Sequence, residues 1–181
     1  MKREDPIDLL RRMLEIYSPS GKEEEISSFI EEEFSLIGFE AVRRDEAGNV
    51  YGEIGSGSLS ILLCGHMDTV PGRIPVKLRD GRLFGRGAVD AKSSLAAMIS
   101  AAAELKAKLR DEGRVIVVGV VDEEGKARGI RQLLREGLKA NCAIFGEPSG
   151  LKNITFAYKG CLLYTSPSPR DLSTSRMPSS A

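Results

Sequence analysis

His66 is the only histidine in the chain, and Asp68 follows it by two residues at the end of an apolar run. Residues i and i+2 of a β-strand share a face, so the imidazole and the carboxylate can point the same way. A carboxylate that accepts the second N–H of an imidazole fixes the tautomer and the ring orientation that metal ligation needs. The pair therefore fits a metal site, although a polar histidine followed by an ordinary acidic turn explains it equally well.

Three acidic clusters follow in the chain, each directly after a glycine-rich or apolar segment. Their acidic residues are Asp90, Asp122, Glu123, Glu124 and Glu147. Taken singly, Asp90 fits the N-cap of the helix that follows it, and the cluster at 122–125 fits an ordinary acidic turn closed by glycine. Taken together, they place one imidazole and several carboxylates at the carboxyl ends of successive predicted strands, where open α/β sheets form ligand sites.

The elements that must position these residues follow from the periodicity of apolar side chains. The alternation of helices with buried strands predicts an α/β sandwich. Two runs of glutamate, at 23–25 and 31–33, are interpreted as solvated helix surface. The predicted helices cover residues 6–17, a segment that ends at Gly38, 92–110 and 128–137, and the predicted strands cover 39–44, 49–54, 59–64, a hairpin at 76–84, 115–121 and 143–145.

Composition excludes several classes of function. The 26 Lys and Arg residues equal the 26 Asp and Glu residues, so the chain has no basic footprint for nucleic acid or an anionic membrane. No apolar run approaches the ~20 residues needed to span a bilayer, and the N-terminus lacks the apolar region of a signal peptide. Cys64 and Cys142 lie in apolar strand patterns and are interpreted as small buried residues. These features favour a cytoplasmic enzyme without nucleic-acid or membrane partners.

Four segments together resemble the motifs of the M20 family of metallopeptidases and amidohydrolases, which includes acetylornithine deacetylase and succinyl-diaminopimelate desuccinylase. They read GHMDTVP, GRGAVDAKSSLAAMI, DEEG and GEPS, in the order of the family. The resemblance covers roughly residues 5–160 and implies a three-layer α/β/α sandwich with a mixed, mostly parallel sheet. Within the family, the chain is most similar to archaeal-type hydrolases that free lysine or ornithine from an amino-group carrier protein.

The resemblance implies a role for each candidate residue. Asp90 would bridge two zinc ions, for which Co²⁺ is a possible substitute. His66 and Glu147 would complete the protein ligands of one ion, and Glu124 would bind the other. Glu123 would be the general base that takes a proton from the attacking water and returns it to the departing amine. Asp68 would orient His66, and a cis peptide bond would follow the bridging aspartate.

We therefore expect the parent protein to be a binuclear zinc-type amidohydrolase of amino-acid biosynthesis. It would release lysine or ornithine from a carrier-protein-linked or N-acylated precursor, so its partner is a small amino-acid-derived substrate or the carrier protein. The full-length enzyme is expected to be a homodimer. Two alternatives stay open: another M20 amide hydrolase, such as a desuccinylase or dipeptidase, and a catalytically dead metal-binding module. The intact Glu123–Glu124 pair argues against the second.

The chain departs from the family pattern towards its C-terminal end. The family takes a second histidine ligand and a smaller dimerisation domain from parts of the chain that have no counterpart in this sequence. We therefore expect the chain as given to bind at most one metal ion well and to turn over little or no substrate. Residues 1–160 are interpreted as the N-terminal part of the catalytic domain. Residues 161–181, rich in serine and proline, predict a disordered tail that resembles translated adapter sequence.

Overall fold

The computed structural model describes residues 5–106, 108–109, 113–150, 152 and 154–157. The chain divides into two compact units, residues 1–148 and 149–181, and every helix and strand named below belongs to the first. The predicted disordered tail at 161–181 lies outside the described residues. The elements are α1 (Pro6–Glu15), α2 (Glu24–Ile37), β1 (Arg43–Arg44), β2 (Val50–Ile54), β3 (Leu59–His66), β4 (Lys77–Arg79), β5 (Arg82–Phe84), α3 (Lys92–Leu105), β6 (Gly113–Val120), α4 (Arg128–Glu136) and β7 (Cys142–Phe145).

The ends of the first two helices follow directly from the sequence. Pro6 occupies the first turn of α1, where its missing N–H costs nothing, and the carboxylate of Asp5 accepts the N–H of Ile7 at 3.0 Å. Helix α2 ends at Gly38, whose φ of 92° allows its N–H to bond the carbonyls of Phe34 and Ser35. Both helices pack through apolar faces on the same side of the sheet.

Five strands form one mixed sheet in the order β1-β2-β6-β3-β7. Strand β3 runs parallel to both β6 and β7, whereas β2 is antiparallel to β6 and β1 is antiparallel to β2. Because β3, β6 and β7 are parallel, their carboxyl ends meet at one edge of the sheet. The segments that contain Asp68, the Glu123–Glu124 pair and Glu147 leave the sheet at that edge, whereas Asp90 lies on the connection between β5 and α3. A separate hairpin pairs β4 with β5.

Helices cover both faces of the sheet and confirm the predicted α/β class. Successive side chains of β6 point to opposite faces: Val115 and Val117 pack under α1, α2 and α3, while Ile116 and Val118 pack on the other face with Leu133 of α4. Buried β-branched residues on both faces are typical of a central strand. None of the helices within the described ranges is long and apolar enough to cross a membrane.

Some sequence predictions for the elements are wrong. The strand expected at 39–44 is reduced to β1, and the helix expected at 92–110 ends as an α-helix at Leu105. Cys64 is buried as predicted, but Cys142 is exposed because β7 is an edge strand whose residues are all exposed. Whether a strand lies at the edge depends on the order of the strands in the sheet, and the local pattern of apolar residues does not reveal that order.

The glutamate runs of α2 are also not uniformly solvated. Glu23 and Glu33 are each only 4% exposed. The carboxylate of Glu33 is bound by the guanidinium of Arg12, with Oε1 2.5 Å from Nη1 and Oε2 3.0 Å from Nη2. The prediction of a solvated surface fails here because the partners of these carboxylates lie on other segments of the chain.

Gly129 offers a test of how tightly α4 packs against the end of β6. A Cβ added there would lie 2.4 Å from both the carbonyl oxygen of Val121 and Oδ1 of Asn49. We expect Gly129→Ala to lower the free energy of unfolding by about 2–3 kcal/mol, because the backbone must shift to relieve this overlap. Chemical denaturation monitored by circular dichroism measures the change.

Gly137→Ala is the matched control, because nothing lies within 4 Å of its added Cβ and only its φ of 65° opposes alanine. We expect this variant to cost about 1 kcal/mol. Equal costs for the two variants would contradict the close packing of α4 on the sheet.

Candidate metal centre

His66 is the last residue of β3, and its side chain is 1% exposed. Its Nδ1 lies 2.9 Å from the main-chain oxygen of Asp68, and its Nε2 lies 3.0 Å from Oδ1 of Asp90. A carbonyl oxygen can only accept, so Nδ1 is the donor of the first contact. In the neutral imidazole this leaves the Nε2 lone pair directed towards the carboxylates, which is the arrangement that a metal ligand requires.

Asp68 holds His66 through its backbone more closely than through its carboxylate. The nearest carboxylate oxygen, Oδ1, is 3.5 Å from Nδ1, compared with 2.9 Å for the main-chain oxygen. The side chain that was expected to take the second imidazole N–H is thus near Nδ1, but the main-chain oxygen of the same residue lies closer. The residue expected to orient His66 does contact its ring, but by a different atom.

The Asp68 carboxylate, 0% exposed, instead ties together two other segments. It accepts the hydroxyl of Ser20 at 2.6 Å and the N–H groups of Glu123 and Glu124, each at 3.1 Å. Burial raises the pKa of Asp68, but the nearby imidazole of His66 and the hydrogen bonds from Ser20 and the two amides outweigh burial and leave that pKa below its usual value. The carboxylate is therefore held in its charged form.

The chain around Ser20 was missed as part of the site, because its Ser-Pro-Ser-Gly sequence indicates only a break between helices. Pro19 forms a β-bridge with Thr69, and the hydroxyl of Ser18 donates to the carbonyl of Met67 at 2.8 Å. These contacts join the α1–α2 connection to the chain that leaves β3. No local pattern in the sequence predicts this pairing.

Asp90 stands at the end of the glycine-rich loop, and its side chain is 52% exposed. The N-cap of α3 is Ala91 and no side chain caps the helix, so the reading of Asp90 as an ordinary N-cap is wrong. Its carboxylate faces His66 instead. The peptide bond between Asp90 and Ala91 is cis, as the family resemblance implied.

Lys92 is a second residue that the sequence analysis missed. It is 1% exposed, and its Nζ donates to the carbonyls of Met13 and Ile16 at 2.9 and 2.8 Å. Burial lowers the pKa of Lys92 to about 8. Its position was a possible signal, because a cation in the first turn of a helix opposes the helix dipole and needs another partner.

Three ligand groups converge at the edge of the sheet. One ligand atom from each of His66, Asp90 and Glu124 can be chosen so that all three lie within 4.8 Å of one another, the single such cluster found in the described part of the chain. Glu123 borders this cluster, with its Oε2 4.0 Å from Nε2 of His66. Glu147 is outside the cluster of three but lies on the connection that follows β7.

The charges around His66 favour a cation. Burial, followed by the neighbouring carboxylate of Asp90, raises the pKa of Glu124. Burial likewise raises the pKa of Glu147, and Glu123, Asp90 and Glu124 raise it further. A divalent ion would relieve this repulsion, and imidazole nitrogen with carboxylate oxygen is a donor set that zinc accepts. The residues present therefore fit a divalent metal ion of the zinc type.

His66 predicts how the metal-free chain responds to pH. Burial lowers the pKa of His66, but the carboxylates of Asp68, Asp90 and Glu123 outweigh burial and raise the pKa to about 9. A raised pKa means that protonation stabilises the folded state fully below the unfolded value of ~6.5. That stabilisation is lost as the pH rises through about 9. We expect the stability difference between wild type and His66→Gln to shrink over this range, as measured by urea unfolding at fixed pH values.

Comparing the two proteins at each pH cancels the titration of Lys92, which is common to both. Zinc affinity of the wild type should rise with pH over the same range, because the metal binds only the neutral imidazole. A stability difference that is independent of pH between 6 and 9.5, roughly the interval set by those two pKa values, would contradict the charge arrangement around His66.

The chain is similar to several curated hydrolases. A LysW-lysine hydrolase of Deinococcus radiodurans is 41% identical over 158 residues, which are 86% of this chain and 43% of that protein. A LysW-lysine/LysW-ornithine hydrolase of Sulfurisphaera tokodaii is 39% identical over 158 residues, which are 86% of this chain and 42% of that protein. A Pyrococcus furiosus protein with 46% identity over 160 residues, covering 88% and 46%, is named provisionally for the same activity. The chain thus spans less than half the length of these relatives.

Solved structures share the fold. A tripeptidase from Staphylococcus aureus superimposes with a TM-score of 0.66 at 28% identity, over 77% of this chain and 42% of that one. An M20 metallo-carboxypeptidase from Sulfolobus solfataricus gives a TM-score of 0.62 at 20% identity, over 78% and 37%. The profile of Peptidase family M20/M25/M40 matches residues 62–161, which include every residue of the cluster around His66. The chain belongs to this family.

Proposed function

We propose that the full-length protein hydrolyses the amide bond that links lysine or ornithine to the amino-group carrier protein LysW. The proposal is supported by the names of the relatives from Deinococcus radiodurans and Sulfurisphaera tokodaii. The observation that carries it is the convergence of His66, Asp90 and Glu124 within 4.8 Å beside the carboxylate of Glu123. This arrangement suits metal-assisted hydrolysis of an amide, and the side chains of Asp90 and Glu123 are exposed to solvent.

The cluster would hold two zinc ions in the complete protein, with Co²⁺ as a possible substitute. Asp90 is proposed to bridge them, because its carboxylate lies next to His66 and raises the pKa of both Glu124 and Glu147. His66 and Glu147 would bind one ion and Glu124 the other. When bound, such ions polarise the amide carbonyl and make water a better nucleophile at neutral pH.

Glu123 is proposed as the general base. Its side chain is 42% exposed, so it is open to the substrate side, while its backbone N–H is fixed by Asp68. The carboxylate would take a proton from the attacking water as the C–O bond forms. It would then deliver that proton to the amine as the C–N bond breaks, releasing the amino acid.

Asp68 is proposed to position rather than to react. Its carboxylate is fully buried and binds the amides of Glu123 and Glu124, so it fixes the base and one ligand to the strand that ends at His66. The cytoplasmic location and the homodimer expected from the family resemblance stay predictions.

A peptidase activity is the competing candidate, because the Staphylococcus aureus tripeptidase is 28% identical to this chain. The two candidates share the chemistry at the metal and differ in the acyl group that the substrate presents. Assaying the full-length protein with LysW-lysine and with unmodified di- and tripeptides separates them. Cleavage of the peptides but not of LysW-lysine would exclude the carrier protein as the substrate. It would still support metal-dependent amide hydrolysis.

Glu123→Gln tests the base directly. We expect this variant of the full-length protein to lose about 10²–10⁴-fold in kcat on LysW-lysine, because glutamine cannot accept the proton. Its zinc content, measured by atomic absorption, should match that of the wild type. Glu32→Gln, at an exposed position of α2, is the control and should retain full activity. A loss of less than about 10-fold in kcat would exclude Glu123 as the base, because the expected loss is much larger.

A further inference from the structure

Glu23 is a buried carboxylate that the proposed mechanism does not use. It precedes α2 and is 4% exposed, although it belongs to a run of three glutamates. Its Oε1 accepts two backbone amides, the N–H of Gly21 at 2.8 Å and the N–H of Asp122 at 3.0 Å. Asp122 is 99 residues away in the chain and directly precedes the Glu123–Glu124 pair. The hydrogen bond from Asp122 to Glu23 therefore joins two distant segments of the chain in the folded structure.

The residue that Glu23 holds has an uncommon backbone conformation. Asp122 has a φ of 59°, in the left-handed region that residues other than glycine seldom adopt. Its carbonyl accepts the N–H of Ala127 at 2.7 Å, and its carboxylate accepts the N–H of Arg128 at 3.3 Å. The backbone therefore reverses direction at this residue, and the direction it takes decides where the next two side chains point.

Three consecutive amides of this turn are bound by two buried carboxylates. Glu23 accepts the first, from Asp122, and Asp68 accepts the next two. The turn is closely packed, since a Cβ added at Gly125 would lie 2.3 Å from Oδ1 of Asp122. A turn held at each successive N–H has little freedom to rotate.

We propose that Glu23 is a positioning residue, which sets the direction of the Glu123 and Glu124 side chains by accepting the N–H of Asp122. The proposal rests on the metal-binding role of Glu124 given above. One oxygen, Oε1, accepts both amides, and a neutral carbonyl oxygen can also accept two hydrogen bonds. The acceptor, and not the charge, is therefore the required feature. The other oxygen, Oε2, is 3.7 Å from Nη2 of Arg128, whose side chain is 51% exposed, so that ion pair contributes little.

This distinction between acceptor and charge defines the variants. Glu23→Gln keeps a carbonyl oxygen for both amides and loses only the charge, whereas Glu23→Met keeps the length and loses both acceptors. We expect Glu23→Met to weaken Zn²⁺ binding by the 181-residue chain about 10- to 100-fold in isothermal titration calorimetry, as for other residues that support a metal ligand. Glu23→Gln should restore binding to within about threefold of the wild type, well inside that range.

Amide hydrogen exchange on the metal-free chain gives an independent readout. Exchange at Asp122 and at the amides of Glu123 and Glu124 should be about tenfold faster in Glu23→Met, because the turn loses its first acceptor. Glu33→Met is the matched control, since Glu33 is equally buried in α2 but both of its carboxylate oxygens bind Arg12. It should lower thermal stability and leave both zinc affinity and exchange at the turn close to wild-type values.

The outcomes separate this proposal from the proposed function. Three results would each overturn the positioning role. Amide exchange at the turn could stay at the wild-type rate in Glu23→Met, or Glu23→Gln could fail to restore zinc affinity. Glu33→Met could also lose as much zinc affinity as Glu23→Met. A wild-type chain that binds no Zn²⁺ would overturn the metal-binding role of Glu124, and exchange at the turn would still decide what Glu23 does. If Glu23→Met does not fold, Glu23→Asp replaces it, because the shorter side chain withdraws the same acceptor from Asp122.

Discussion

The buried carboxylate of Asp68 is the contact on which the rest of the site depends. A carboxylate removed from water is tolerated only when donors satisfy its oxygens. Here the donors come from two segments far apart in the chain, the Ser20 connection and the turn that contains Glu123 and Glu124. Folding of this edge of the sheet and assembly of the candidate metal centre are therefore the same event. Any change that moves one of the segments leaves a buried charge without its donors.

The carboxylates at this edge fall into two groups with different physical roles. Asp68 and Glu23 bind backbone amides and hold the chain, and their side chains are buried. Glu124 and Glu147 have raised pKa values because burial and the surrounding carboxylates oppose their charged forms. The second group gains most from a divalent cation. The fold thus uses hydrogen bonds to fix the first group and leaves the second group in mutual repulsion that a metal ion would relieve.

The sequence predicted the parts of this arrangement that depend on local pattern and on parallel strands. Apolar runs located β3, β6 and β7, and because the carboxyl ends of parallel strands meet at one edge, the residues after them were expected to converge. His66, Asp90 and Glu124 do converge. The four motifs added the family, and the profile match confirmed it.

What the sequence did not reveal are contacts between distant segments. Glu23 and Glu33 look like solvated glutamates until α1 and the turn after β6 are placed against them. Cys142 looks like a core residue until the strand order puts β7 at the edge. Asp68 was expected to face the imidazole with its carboxylate, but that group also accepts three donors from elsewhere, and the backbone carbonyl lies closer to the ring. In each case the deciding partner is supplied by tertiary structure.

The most direct test of this account is a crystal structure of the chain grown with Zn²⁺, with anomalous data collected on both sides of the zinc absorption edge. The account predicts an anomalous peak about 2.0–2.2 Å from Nε2 of His66 and from carboxylate oxygens of Asp90 and Glu124. A zinc ion bound elsewhere, or His66 and these carboxylates left without metal at saturating Zn²⁺, would contradict it.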